Sequence, residues 1–202
     1  MIYFSSDHHF WHNNIIHYCN RPFSSTEEMN EKLIENWNKV VGPQDFVYYL
    51  GDFSLSFRAV EVYTKRLNGV KLLIPGNHDW NHSYNKKSRT PENQTIWNKQ
   101  YEKHGWITDS EIVQRSFDGL DEVRLCHLPY ADDALDGPDK FARWRPNDDG
   151  KVLLCGHVHE KWLTKRSPKG TIMVNVGVDV HNMTPVCLDR IKELIKREKV
   201  DE

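Results

Sequence analysis

The stretches FVYYLGD (Phe46–Asp52) and VKLLIPGNHD (Val70–Asp79) decide the fold class. Each opens on a short apolar run and closes on a turn of glycine and polar side chains, the pattern of a buried strand. Between them a helical pattern carries Val60, Tyr63 and Leu67 and stops at Asn68-Gly69. Upstream, Ile2-Tyr3-Phe4 is a third strand, ending at Ser5-Ser6-Asp7. Ser25-Thr26-Glu27-Glu28 reads as a capping box that opens a helix with Met29, Leu33, Ile34, Trp37 and Val40 on one face. Gly42-Pro43 stops that helix. A strand–helix–strand–helix–strand order predicts parallel strands with right-handed crossovers.

The rhythm changes downstream. Residues 80–106 predict a loop and then a helix bearing Ile96, Trp97 and Tyr101. Glu111–Phe117 and Glu122–Cys126 flank Asp118-Gly119, a hairpin signature. Residues 130–150 are expected to form a long surface loop. Val152–Cys155 and Thr171–Val178 are further strands, and a last helix from about Leu188 buries Ile191, Leu194 and Ile195. No repeat or linker divides the chain, so residues 1–202 are expected to form one α/β domain.

Composition narrows the function. The chain has 202 residues with 27 basic and 29 acidic side chains, a formal net charge of −2. That balance lacks the bulk positive charge of a dedicated nucleic-acid binder, so nucleic acid is allowed as a partner but not indicated. No stretch approaches the ~18 apolar residues of a membrane span, and MIYFSSDHHF lacks the regions of a signal peptide. Cys19, Cys126, Cys155 and Cys187 form no CxxC pair, which suits reduced thiols and predicts a cytoplasmic protein. The unusual count is eleven histidines, the side chain best suited to bind metals and move protons near neutral pH.

In open α/β sheets, ligands bind beyond the carboxyl ends of strands. The strand ends here deliver Asp7-His8-His9, Gly51-Asp52, Gly76-Asn77-His78-Asp79, His127 and Gly156-His157-Val158-His159. If the segments stay extended, Asp7 with His9 and His157 with His159 each face one way. Glycines 51, 76 and 156 allow a sharp turn and close backbone approach. Two aspartates, one asparagine and four histidines exceed the needs of one tetrahedral zinc and suit two cations sharing a carboxylate. Two divalent ions carry +4, of which Asp7 and Asp52 offset 2, leaving positive charge for an anionic substrate.

These motifs resemble those of the calcineurin-like metallophosphoesterases: D-x-H, G-D, G-N-H-[D/E], a lone His and G-H-x-H, in that order. The run Asp7-His8-His9-Phe10-Trp11-His12 is similar to the start of a subgroup of small bacterial and phage members. The resemblance implies a four-layer α/β/β/α sandwich with a two-metal site. It assigns one metal to Asp7, His9, Asp52 and His159, and the other to Asp52, Asn77, His127 and His157. It makes His78 the general acid or phosphate contact, with Asp79 as its orienting partner. Where many members have glycine before the lone histidine, this chain has Cys126.

The expected activity is hydrolysis of a phosphoric ester, a diester in the first instance, by a metal-bridging hydroxide attacking in line while His78 assists the leaving group. Alternatives are a phosphomonoesterase or nucleotide pyrophosphatase with the same site, and a silent scaffold of the same fold. The donor set suits Mn²⁺ first, with Fe, Zn²⁺, Co²⁺ or Ni²⁺ as alternatives, and the expected partner is a small phosphoester or nucleotide.

Other residues carry two readings each. His12 reaches the substrate phosphate or supports the ligands from behind. Arg21 is a phosphate clamp or a surface salt bridge. Arg143 and Arg145 around Trp144 hold a nucleotide or, the favoured reading, belong to a loop anchored by the tryptophan. Asn175 and Asp179 brace ligand histidines or form a plain turn. Lys86-Lys87-Ser88-Arg89 and Lys192 to Lys199 read as solvated faces.

Overall fold

The computed structural model describes residues 1–131 and 138–200. The elements are β1 (Ile2–Ser5), α1 (Asn13–Tyr18), α2 (Thr26–Val40), β2 (Phe46–Tyr49), α3 (Phe57–Tyr63), β3 (Val70–Leu73), α4 (Pro91–Lys103) and β4 (Trp106–Thr108). They continue as β5 (Ile112–Phe117), β6 (Leu120–Cys126), β7 (Leu153–Cys155), β8 (Thr164–Arg166), β9 (Ile172–Asn175), β10 (Val186–Cys187) and α5 (Leu188–Val200). They build two five-stranded sheets, ordered β10-β1-β2-β3-β4 and β5-β6-β7-β9-β8. β1, β2, β3 and β4 run parallel, as the alternation predicts, while β10 is antiparallel to β1.

Alternating side chains divide the core. On β1, Tyr3 faces the helical side and Phe4 faces the second sheet; on β2, Val47 and Tyr49 oppose Tyr48. α2 lays Met29, Leu33, Ile34 and Trp37 on the first sheet's outer face, while Val40 is only partly buried. Ser25 caps α2 by accepting from the Glu28 amide at 3.1 Å. The Glu28 carboxylate reaches back one residue beyond a standard capping box, to the amide (2.8 Å) and hydroxyl (2.5 Å) of Ser24. Phe4, Leu50, Leu72, Ile74, Val123, Leu125, Leu154 and Val174 fill the space between the sheets, and α5 adds Ile191, Leu194 and Ile195 to that core.

The protein is therefore the expected mixed α/β sandwich of two sheets with helices. Over the second sheet, the outer layer of the described residues is a loop with a 3-10 turn at Ala142–Trp144, packing Phe141, Tyr84 and Trp144 on Cys126, Leu153 and Met173. Part of the surface loop expected at 130–150, residues 132–137, lies outside the described residues.

The two sheets meet where the chemistry-bearing turns lie. Ser6 forms a parallel bridge with Gly177, and His127, after β6, donates through Nδ1 to the carbonyl of Leu50, after β2, at 2.7 Å. The ends of β1, β2 and β3 thereby face those of β6 and β7.

Candidate metal centre

Each strand stops before its ligand turn. β1 ends at Ser5, and Asp7 and His9 then take left-handed backbone angles, φ 61° and 51°. Asp52 (57°), His157 (71°) and His159 (50°) do the same. The expectation of extended segments presenting alternate residues is therefore corrected: coiled turns aim these side chains. Left-handed non-glycine residues cost of order 1 kcal/mol each and persist where the surroundings over-determine them.

The surroundings are tight. A Cβ added to Gly76 would lie 2.4 Å from Asp52 Oδ1 and 2.9 Å from the His127 ring; one on Gly156 would lie 2.4 Å from Asp7 Oδ2. Only glycine lets these turns close on the carboxylates. The backbone then grips the acids. His157 N–H donates to Asp7 Oδ2 at 3.0 Å, Ser6 Oγ donates to the same oxygen at 2.6 Å, and His78 N–H donates to Asp52 Oδ1 at 2.9 Å.

Two clusters result. One donor atom from each of Asp7, His9 and His159 lies within 4.8 Å of the others, and so do those of Asp52, His127 and His157. Asp52 Oδ2 lies between them, 3.3 Å from His127 Nε2 and 3.6 Å from His9 Nε2. Asn77 is buried beside them. His127 Nδ1 donates to the Leu50 carbonyl at 2.7 Å and His159 Nδ1 to Asp179 at 2.9 Å, which leaves each Nε2 as the atom for the cluster.

The decisive detail is what these atoms lack. Both ring nitrogens of His9, Nε2 of His127 and Oδ1 of Asn77 are buried with no hydrogen-bond partner among the described residues. Among the described residues eight buried side-chain atoms lack a partner, and these three residues hold four of them, where buried polar atoms are in general satisfied. A neutral imidazole offers one lone pair, so His9, His127 through Nε2 and Asn77 through Oδ1 can each give one to a divalent cation beside the two buried carboxylates. The electrostatics agree: burial disfavours a charged His127, yet Asp52 pulls it up to about 9, and Asp7 with Asp179 pulls His159 up to about 11. The carboxylates set up a field that demands positive charge.

The calcineurin-like phosphoesterase family model matches residues 1–161. The chain belongs to this family. It is accordingly a metal-dependent phosphoesterase, and the family implies divalent ions of the kind the two clusters suit. An uncharacterized protein of Methanocaldococcus jannaschii is 36% identical, the alignment covering 98% of this chain and 93% of that one. The gene 66 protein of Mycobacterium phage L5 is 28% identical over 99% of this chain and 96% of the relative. A protein of unknown function from Aquifex aeolicus superposes with a TM-score of 0.66 at 25% identity, covering 96% of this chain and 98% of the other.

Around this phosphoesterase centre the remaining expectations separate. His78 projects over it: its ring is 43% exposed and its Nε2 lies 3.9 Å from Asp52 Oδ2. His12 stands alongside, its ring 5.4 Å from that of His9. His8 instead points into the core between Phe10, Trp37 and Tyr49 and is pushed down to about 3, chiefly by burial.

Two roles are corrected. Asp79 does not orient the His78 side chain. It is fully buried, and its carboxylate accepts from the amides of Asp52 (2.8 Å), Phe53 (3.1 Å) and Gly76 (2.8 Å), locking two ligand turns together. Burial and the adjacent Asp52 charge lift it to about 7.

Arg21 is neither a phosphate clamp nor a surface salt bridge. Its guanidinium is buried and its donors are engaged. Nε and Nη2 donate to Asp179, Nη2 also to the Asp7 carbonyl, and Nη1 to the His8 carbonyl and Met29 Sδ. The reading of Asp179 as a brace for a ligand histidine matches its 2.9 Å contact with His159, while Asn175 holds the carbonyls of His159 (2.7 Å) and Trp162 (2.9 Å). Trp144 anchors its loop through Nε1 to Ser83 Oγ at 2.8 Å. The Lys86–Arg89 run is the expected solvated face at its three charges, all exposed. Ser88 is buried, and Lys86 and Arg89 line a cavity with Asn77 and His78. The sequence marked that run as a cluster of charge, and its position shortly after the Gly76–Asp79 motif was the one sign of a place near the centre.

Proposed function

We propose that the centre binds two divalent ions, Asp7, His9, Asp52 and His159 holding one and Asp52, Asn77, His127 and His157 the other, and that the enzyme hydrolyses phosphodiesters. The observation that carries this is the set of orphaned donor atoms on His9, His127 and Asn77 around Asp52. A donor set mixing imidazole, carboxylate and amide suits Mn²⁺, with Fe, Zn²⁺, Co²⁺ or Ni²⁺ as competitors. When bound, such a pair clamps phosphate oxygens and lowers the pKa of a shared water.

The chain's own residues do the rest. Asp79, Arg21 and Asp179 hold the ligand turns rigid before substrate arrives, so little reorganisation accompanies the reaction. His78, on the open side of the centre, donates a proton to the leaving oxygen. His12 contacts the substrate phosphate from the neighbouring turn. Attack by water in line with the leaving group, with no phospho-enzyme, predicts inversion at phosphorus. The small phosphoester or nucleotide partner and a cytoplasmic setting, the latter on cysteine usage, complete the proposal.

The test is a substrate panel on the Mn²⁺-loaded protein with metal content measured by elemental analysis. Two metals per chain and faster turnover of bis-p-nitrophenyl phosphate than of p-nitrophenyl phosphate are expected. The reverse preference would make it a phosphomonoesterase, and one metal per chain would defeat the paired site.

A further inference from the structure

Beside His78 the surface sinks into a cavity of about 650 Å³. Asn77 and His78 form one end, and Lys86, Arg89 and Arg143 with Trp144 form much of the rest; among the described lining residues there is no carboxylate. A chain of net charge −2 thus gathers three cations on one wall, next to its reaction centre. A concave site of one sign focuses field and concentrates counter-charged ligand.

The cations sit on backbone that is tied to the centre. Asn85 Nδ2 donates to the His78 carbonyl at 3.3 Å, and Ser88 N–H donates to the Asn85 carbonyl at 2.9 Å. Ser88 Oγ donates to the Trp80 carbonyl, fixing the turn between Lys86 and Arg89. Trp144 is bonded through Nε1 to Ser83 of the same turn, and the Arg143 guanidinium lies 5.7 Å from the centroid of the Trp144 ring. Lys87, in the same run, points elsewhere, its ammonium 3.9 Å from the centroid of the Trp80 ring. Lys86, Arg89 and Arg143, all exposed, line the cavity, and Lys87 does not.

We infer that this cavity receives the leaving portion of the substrate and that this portion carries phosphate of its own, so the enzyme favours substrates with at least two linked phosphoryl groups. The inference rests on the phosphoester-hydrolase reading of the metal centre. The position of His78 sets the polarity: the group it protonates departs toward Lys86, Arg89 and Arg143. Guanidinium and ammonium groups pair with phosphate through short charge-assisted hydrogen bonds, whereas an uncharged leaving group gains little from them. For a phosphoric anhydride, water adds to the phosphorus at the centre, the bridging P–O bond breaks, and the leaving oxygen takes its proton from His78 as the released phosphate ester stays on the cations.

The experiment compares diadenosine diphosphate (AppA), disubstituted at each phosphorus and with AMP as its leaving portion, with bis-p-nitrophenyl phosphate, whose leaving portion carries no phosphate, on Mn²⁺-loaded protein. Binding of the non-hydrolysable methylene-bridged AppA is measured by calorimetry. In the triple variant Lys86→Ala/Arg89→Ala/Arg143→Ala, kcat/KM for AppA is expected to fall about tenfold or more relative to any change for bis-p-nitrophenyl phosphate. The analogue's Kd is expected to weaken by a similar factor, with a shallower salt dependence. Exchanging each cation for the other, Lys86→Arg/Arg89→Lys/Arg143→Lys, is expected to retain most of the AppA preference. Equal losses on both substrates, or an unmoved Kd, would overturn the inference while leaving the hydrolase reading intact. A wild-type protein inert to both substrates would instead defeat that reading, and the Kd comparison would still decide the cavity.

Discussion

Arg21 and Asp179 lie 158 residues apart in sequence and form a two-pronged ion pair, 2.7 and 2.9 Å, with both side chains buried. The pair joins the first ligand turn to the last. Arg21 holds the carbonyls of Asp7 and His8, and Asp179 holds Nδ1 of His159. Burial opposes the charge on Asp179, but His159 and Arg21 keep it below the usual carboxylate range. Asp179→Asn should leave a buried guanidinium without its counter-charge, at a cost of about 3 kcal/mol, or a Tm lower by roughly 6–12 °C for a chain this size. It should also weaken metal binding roughly 10–100-fold by loosening His159. Thermal melts in EDTA read the first effect and Mn²⁺ titration the second; a variant normal in both would remove Asp179 from its place behind the ligand.

Asp52 faces His9 and His127 at once. Asp52→Asn replaces a charged oxygen shared by both clusters with a neutral one, so metal content should drop at both positions, not one. Elemental analysis after dialysis checks this. Retention of two tightly held ions would show that Asp52 is no bridge.

Sequence made the donor set legible because each donor follows a buried strand and the strands of a parallel sheet must end on one side. The same logic exposed the β1–α2–β2–α3–β3 order. It missed β4, β8 and β10, whose two or three residues are held by neighbouring strands rather than by any pattern of their own. It also misread Asp79 and Arg21. Adjacency in sequence suggested that Asp79 serves His78, whereas consecutive side chains in a turn diverge, and Asp79 turns inward to three amides. Arg21 looked exposed because its burial depends on Asp179, a partner that no local pattern announces.

His78 is the half-exposed side chain over the centre and holds none of the buried donor positions. His78→Ala should therefore keep both metals while kcat falls about 10²–10⁴-fold on a substrate with an alkoxide leaving group. With p-nitrophenolate, which departs readily without a proton, the loss should be much smaller. Equal losses on the two leaving groups would argue for phosphate binding by His78 instead of proton donation.

His82 supplies a pH effect away from the ligand cluster. Its ring is buried, and Nδ1 accepts from the Tyr84 amide at 3.0 Å, which requires the neutral form. Burial lowers it from 6.5 to about 4, against the pull of Glu111. Because the folded pKa lies below the unfolded one, the unfolded chain binds more protons between those values. Stability contributed by neutral His82 is complete above about pH 6.5 and is lost as pH falls toward 4, by about 3 kcal/mol in all. His82→Gln keeps an acceptor for the Tyr84 amide but cannot titrate. Denaturant unfolding in EDTA from pH 7 to 4 should therefore show a shallower decline for the variant than for wild type, the two curves converging toward low pH. Parallel curves would mean that His82 is protonated as easily folded as unfolded.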